Sequence, residues 1–168
     1  WISKFNNYDE LILGVDSILS DFTFGTIAER FELATMEVGC LLGFISQRPD
    51  KEFRKGLDNL WCGVDNQFFL IECKSEVDDS RDEISKYEAG QMNSHCGWFE
   101  SIYGESSVKR ILIIPTKKLS YYGDFTHDVE IMRKNKLNNL KKNITLPYTT
   151  LSGENLDHVF SDKWDYPC

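Results

Sequence analysis

An acid and a base at the end of one predicted strand give the sequence its clearest chemical signal. Glu72 and Lys74 directly follow residues 68–71, the most hydrophobic run in the chain. Side chains two residues apart on a strand point to the same face, and an unpaired buried charge is costly. The pattern therefore predicts either a solvated Glu–Lys ion pair or a site in which both side chains act together.

The acid Asp58 lies on the preceding predicted strand, and pairing arithmetic decides whether it joins them. Opposed residues in an antiparallel pair share a face, and their numbers have a constant sum. A two-residue turn at residues 65–66 makes that sum 131, which puts Asp58 opposite Cys73 and away from Glu72. An even sum requires a connection of odd length or a β-bulge. We expect one of these two.

Helices and strands in an α/β order must position these side chains. Apolar residues at three- and four-residue spacing predict helices at 8–22, 26–44 (capped by Thr26), 82–103, 128–142 and, shorter, 154–160. Strands are predicted at 57–64, 67–75 and 108–114, and a loop at 46–56. This order predicts an α/β sandwich with a mixed sheet.

The ordered motif resembles the PD-(D/E)XK, or restriction-endonuclease-like, nuclease superfamily, and most closely the Mrr-like nuclease domains, including those fused to helicase-type proteins. Asp58 and Glu72-x-Lys74 carry the resemblance, with Leu57 where the family motif has proline. The segment Arg30-Phe31-Glu32 resembles the helix Glu of that family, and residues 84–91 resemble the helix after its catalytic strand.

The resemblance covers residues 26–115 and implies a restriction-endonuclease-like three-layer sandwich, with a mixed β-sheet flanked by helices. Residues 1–168 are then a single nuclease-like domain with two peripheral parts. These are an N-terminal helical addition at 1–24 and a basic C-terminal helical addition at 116–168. Because the chain begins with Trp1, we expect it to be excised from a larger protein.

The activity that the resemblance implies is Mg²⁺- or Mn²⁺-dependent hydrolysis of nucleic-acid phosphodiesters, with DNA favoured over RNA and endonucleolytic cleavage expected. Asp58 and Glu72 would supply the carboxylates that such a cation prefers, with the backbone carbonyl of Cys73 as a further ligand. Lys74 would orient the attacking water and offset developing negative charge. Without a cation, two neighbouring carboxylates should raise the pKa of one of them.

Two further residues are candidate catalytic groups, each with a plainer alternative. Glu32 lies off the main apolar stripe of its helix. It has either a water-mediated or second-metal role, or it is an ordinary exposed acid. Glu29 and Glu37 are alternative candidates for the same role on this helix. Gln91 must hydrogen-bond the active-site water, a phosphate or the backbone. The stripe of its helix expected to face inward comprises Ile84, Tyr87, Gln91, His95, Trp98 and Ile102. We interpret His95, Trp98 and the Cys73 thiol as packing residues, and Glu88 as a surface residue.

Basic residues are concentrated in the C-terminal third of a chain whose net charge is −8. Between positions 109 and 142 the sequence has nine basic residues and three acidic ones. Such a stretch is a solvated helix face or a binding surface for a polyanion. The candidate contacts to nucleic-acid backbone are Lys86, Lys109, Arg133, Lys134, Lys141 and Lys142.

Composition excludes several other classes of protein. With 41% hydrophobic and 13% aromatic residues the chain is not disordered, and no apolar run approaches the ~20 residues that cross a bilayer. The five cysteines form no CxxC pair, and the three histidines are scattered, which disfavours a disulfide scaffold or a zinc site. We expect a cytoplasmic protein with reduced thiols, no membrane partner, and other domains of a larger polypeptide or complex as neighbours.

Two alternatives to the enzyme remain. A nuclease-derived module without turnover could bind nucleic acid or a partner protein within a larger helicase- or restriction-type protein. An unrelated α/β domain could carry the Glu-x-Lys motif by accident. An intact set of Asp58, Glu72 and Lys74 favours the enzyme, because a pure binding module does not need it.

Overall fold

The computed structural model describes residues 2–78, 80–104 and 106–150, so the helix predicted at 154–160 lies outside the described residues. The strands in chain order are β1 (Ile45–Gln47), β2 (Asn59–Cys62), β3 (Phe68–Cys73), β4 (Glu83–Ile84), β5 (Val108–Ile113), β6 (Lys118–Leu119) and β7 (Glu130–Met132). The helices are α1 (Tyr8–Asp21), α2 (Ala28–Leu41), the short α3 (Pro49–Glu52), α4 (Lys86–Tyr103) and α5 (Lys134–Thr150).

A five-stranded mixed sheet with the order β1-β2-β3-β5-β7 forms the centre. The strands β1, β2 and β3 pair antiparallel, whereas β3, β5 and β7 are parallel. A separate parallel pair is formed by β4 and β6. Because β3 has a neighbour on each side, its backbone polar groups are satisfied within the sheet, which suits its apolar sequence.

Successive side chains of a strand point to opposite faces of the sheet. The central strands carry apolar side chains on both faces, and helices cover each face. On one face Ile71 and Cys73 pack in a core shared with α1, α2 and α5. On the other face Leu60 and Leu70 pack against Met92, Cys96 and Phe99 of α4. The predicted mixed α/β architecture, with helices flanking a mixed sheet, is confirmed.

Two predicted segments are wrong in detail. Residues 46–56, predicted as a loop, contribute to the edge strand β1 and to α3, which begins at Pro49, where a missing N–H costs nothing. The helix predicted from residue 128 begins only at Lys134, because residues 130–132 pair with β5 as the strand β7. Strand pairing overrides local composition in both places.

The inward face of α4 also differs from the prediction. Tyr87 and Ile102 are 79% and 57% exposed, so these two members of the predicted stripe do not face the core, whereas Trp98 packs against it as predicted. The helix begins at Lys86 with Ser85 as its N-cap, and a capping box joins Ser85 to Glu88. Glu88, expected on the surface, is buried because Arg81 and Ser85 bond its carboxylate.

The N-terminus of α2 is capped by a residue from a distant part of the chain. Ile27, rather than the predicted Thr26, occupies the N-cap position and offers no side-chain hydrogen bond. The backbone N–H of Ala28 instead donates to Oε2 of Glu76 at 3.1 Å. A carboxylate at a helix N-terminus also interacts favourably with the helix dipole.

Candidate active site

The register between β2 and β3 determines on which face Asp58 lies. Asn59 pairs with Ile71, and every pair in this ladder has numbers that sum to 130. One further step along the same register places Asp58 opposite Glu72, on the same face of the sheet. The connection between the strands is residues 63–67, an odd length, which confirms the expectation of an even sum.

A 3-10 turn (Val64–Asn66) accounts for the length of this connection. The backbone N–H of Gly63 donates to the carbonyl of Gln67 at 2.8 Å, and Asn66 has a φ of 54°. Asparagine tolerates this left-handed conformation better than most residues. The sequence therefore indicates the position of the turn, whereas its length depends on the pairing of the flanking strands.

Glu72 is fully buried and lies within hydrogen-bond distance of two side chains. Its Oε1 accepts a hydrogen bond from Nζ of Lys74 at 2.9 Å, and its Oε2 lies 2.7 Å from Nδ1 of His95. Burial raises the pKa of Glu72, but the hydrogen bond with His95 and the charge of Lys74 outweigh it and lower that pKa. The carboxylate is therefore held in its ionised form, and the predicted proximity of Glu72 and Lys74 is confirmed.

Asp58 lies beside Glu72, and fewer hydrogen bonds offset the burial of its carboxyl group. Its Oδ2 accepts a hydrogen bond from the backbone N–H of Cys73 at 2.7 Å. Burial, followed by the negative charge of Glu72, raises the pKa of Asp58 to about 8. This direction agrees with the expectation that two neighbouring carboxylates without a cation leave one of them protonated.

Glu32 reaches the same place from α2, together with an acid that the sequence did not single out. Carboxylate oxygens of Glu32, Asp50 and Asp58 all lie within 4.8 Å of one another. Asp50 enters this group because β1 pairs with β2 and brings the start of α3 beside the N-terminal end of β2. No local signal distinguishes Asp50 from the other charged residues of 46–56, since its position depends on that long-range pairing.

Arg48 orders this acidic group from one side and was also missed. Its side chain is 8% exposed and bonds Oε2 of Glu32 at 2.5 Å and Oε1 of Glu29 at 2.9 Å. Burial raises the pKa of Glu32 even though Arg48 opposes the rise. The rival acid Glu29 is exposed, and hydrogen bonds from Arg48 and Lys51 lower its pKa to about 2.

The oxygens of Glu32, Asp50 and Asp58 could hold a small divalent cation. Carboxylate oxygens are the ligands that Mg²⁺ and Mn²⁺ prefer. Oδ1 of Asp50 is buried and has no hydrogen-bond partner among the residues that the structure describes, so it is available for a ligand. Both oxygens of Glu72 already have partners. The carboxylate oxygens most available to a cation are therefore those grouped around Asp58.

The two predicted packing residues near the site have different outcomes. The thiol of Cys73 is buried on the opposite face, 3.7 Å from Oγ1 of Thr35, and burial raises its pKa well above the usual value; its packing role is confirmed. The interpretation of His95 as a core residue is wrong, because its imidazole bonds Glu72. Gln91 lies one helical turn before His95, and both line an open depression beside the site.

The basic residues predicted to contact nucleic acid do not share one face of the sheet. Lys86 is exposed at the start of α4. Lys109 pairs in register with Phe69 and so lies on the opposite face, which α5 also covers. Within α5, Nζ of Lys141 donates to Oγ1 of Thr23 at 2.6 Å, and burial lowers its pKa. Lys141 is thus engaged within the protein.

The fold and site define a mixed α/β protein with a buried carboxylate cluster at one end of its central sheet. No protein-family model, no curated protein and no solved structure matches this chain. Within the described ranges, none of the helices has the length and apolar character needed to cross a membrane.

Proposed function

We propose that this chain is a metal-dependent nuclease of the PD-(D/E)XK type that hydrolyses phosphodiester bonds, with DNA as the favoured substrate. The observation that carries the proposal is the register that sets Asp58 beside Glu72, with Lys74 bonded to Glu72 at the same strand end. Two carboxyl groups and a cationic side chain on adjoining strands are the groups that this chemistry requires.

The side chains divide the reaction among them. A Mg²⁺ or Mn²⁺ ion held there would supply charge neutralisation at the phosphate and would favour ionisation of the attacking water. Asp58 would be the central ligand, joined by Glu32 and Asp50 or, as the resemblance implies, by Glu72 and the carbonyl of Cys73. Lys74 keeps its proton, because Glu72 and Asp58 raise its pKa against the effect of burial. It therefore acts as a cation that stabilises negative charge, and not as a base.

A binding module without turnover is the second candidate, and one observation favours it. Lys74 and His95 already occupy both oxygens of Glu72, an arrangement that satisfies the buried carboxylate without any metal. In that case the acidic cluster has a structural role, and substitution of Lys74 should reduce stability without removing a reaction.

Cleavage assays with matched variants test the proposal. Plasmid and single-stranded DNA would be incubated with the wild-type chain in Mg²⁺ or Mn²⁺, alongside Asp58→Ala and Lys74→Ala. We expect each variant to lose about 10²-fold or more of the rate. The control variants Asp16→Ala and Lys55→Ala change exposed residues outside the site and should cleave at the wild-type rate. Equal cleavage by all five proteins would refute the site assignment.

A second experiment separates the two ligand sets. Asp50→Asn and Glu72→Gln would each be titrated with Mn²⁺ and followed by electron paramagnetic resonance. If Glu32 and Asp50 complete the site, Asp50→Asn weakens Mn²⁺ binding by 10-fold or more, whereas Glu29→Gln, which changes an exposed neighbour, does not. A loss confined to Glu72→Gln would instead support the ligand set that the resemblance implies.

A further inference from the structure

Among the residues that the structure describes, none that lines an open depression beside the N-terminal half of α4 is acidic. Its volume is about 670 Å³, within the range of ~300–1,000 Å³ that is typical of ligand sites. Its lining residues are Lys86, Tyr87, Gly90, Gln91, Ser94 and His95. In a chain with a net charge of −8, a lining whose described residues include a lysine and no carboxylate is complementary to a negatively charged ligand.

The depression adjoins the candidate active site through one shared residue. His95 lines the depression, and its Nδ1 lies 2.7 Å from Oε2 of Glu72. A ligand that occupies the depression can therefore contact the imidazole that bonds the proposed catalytic carboxylate. This continuity indicates a substrate-binding surface rather than an independent pocket.

The exposed aromatic side chain defines what the depression can bind. Tyr87 is 79% exposed, and Gly90 and Gln91 are its neighbours at the i+3 and i+4 positions of the same helix face. Apart from its chain neighbours and the backbone of its own helix, a Cβ added at Gly90 would meet no atom of the described residues within 4 Å, so there is open space beside the tyrosine. An exposed ring with open space beside it can stack on a nucleobase.

We propose that this depression binds a single-stranded segment of the nucleic acid, with a base stacked on Tyr87 and a phosphate bound by Lys86. The inference rests on the proposed function, since it names the substrate form that the site accepts. Bases in a duplex are stacked on one another, so the ring of Tyr87 is accessible only to an unpaired base. The chain would thus act on single strands, frayed ends or unpaired regions.

Binding of a fluorescent single-stranded oligonucleotide tests this inference. Fluorescence anisotropy would be measured in Ca²⁺, chosen to limit cleavage, for the wild type, Tyr87→Ala and Tyr87→Trp. We expect Tyr87→Ala to weaken binding about 10-fold and Tyr87→Trp to retain it. The matched control is Tyr121→Ala, which removes a tyrosine that is 91% exposed and absent from the lining of the depression.

An abasic series distinguishes stacking from a general loss of affinity. Removing bases one at a time from the oligonucleotide should weaken wild-type binding at one position, and Tyr87→Ala should abolish that dependence. Lys86→Ala should reduce the slope of log affinity against log salt by about one. Wild-type affinity in Tyr87→Ala, an equal loss in Tyr121→Ala, or no binding of single strands by the wild type would each overturn the inference.

The failure of this inference is distinct from the failure of the proposed function. If the protein binds single strands through Tyr87 but cleaves nothing in Mg²⁺ or Mn²⁺, the binding role of the depression is supported and the nuclease assignment is refuted. If the wild type and Tyr87→Ala cleave DNA at equal rates, the nuclease assignment is supported and the binding role of the depression is refuted.

Discussion

Two adjacent carboxylates in this protein have opposite pKa shifts, and their partners explain the difference. Glu72 has Lys74 and His95 within hydrogen-bond distance, and its pKa is lowered. Asp58 has one backbone N–H as a partner, and burial raises its pKa to about 8. A cation bound at Asp58 would remove that difference, because it supplies the missing positive charge.

Removing the Asp58 carboxylate should stabilise the protein in a pH-dependent way. A pKa of about 8 in the folded state, against 3.8 ordinarily, means that the folded chain holds a proton that the unfolded chain releases. The resulting stability is complete below pH 3.8 and is lost as the pH rises through 8, by up to about 1.4 kcal/mol per pH unit. Asp58→Asn should therefore gain stability relative to the wild type between pH 5 and pH 8.

Urea denaturation at both pH values, with EDTA present, measures this effect. Glu29→Gln is the control: hydrogen bonds lower the pKa of Glu29 to about 2, so its carboxylate is ionised throughout this range. Its effect on stability should be the same at pH 5 and pH 8. A constant difference between Asp58→Asn and the wild type would contradict the assigned pKa.

At the level of the elements, α2 carries Glu32 and must pack closely on the sheet to place it. Gly39 makes this contact possible, because a Cβ at that position would lie 2.6 Å from Nε1 of Trp61 and 2.8 Å from Oγ of Ser46. Ser46 belongs to β1 and Trp61 to β2, so this glycine sets the distance of the helix from both strands. The position of Glu32 depends on that distance.

Gly39→Ala should destabilise the protein by about 1–3 kcal/mol, because the added methyl group forces the helix away from the strands. Gly97→Ala is the matched control, since a Cβ at Gly97 in α4 meets no atom within 4 Å. It should stabilise the protein by up to about 1 kcal/mol, because alanine favours a helix more than glycine does. Thermal melts of both variants measure these changes in stability. An unchanged melting temperature for Gly39→Ala would contradict the close packing of α2 on the sheet.

At the scale of the whole molecule, the candidate active site and the basic C-terminal helix face different ways. Glu72 and the depression lie on the face covered by α4, whereas α5 packs on the other face with α1 and α2. Nucleic acid bound along α4 would have to pass around an edge of the sheet to reach Lys142. The basic residues predicted to contact nucleic acid therefore lie on two different faces of the protein, and Lys86 is the one beside the site.

Divalent cations should stabilise the whole fold, because their proposed ligands come from three separate segments of the chain. Saturation with Mn²⁺ or Mg²⁺ at 100 times the dissociation constant adds about 2.7 kcal/mol by linkage and should raise the melting temperature. Asp58→Asn should lose this rise, and Asp16→Asn should retain it. An unchanged melting temperature of the wild type across millimolar concentrations would exclude a preformed metal site.

The sequence alone predicted the mixed α/β class, the central strands and the shared face of Glu72 and Lys74, because these follow from local periodicity. Parity also predicted that Asp58 joins them only through a connection of odd length or a β-bulge, and the observed register has the odd-length connection. The role of Asp50, the ion pairs of Arg48 and the contact of His95 with Glu72 could be decided only by the tertiary structure. These depend on which distant segments pair and how α4 is rotated, and free energies of packing between elements determine both.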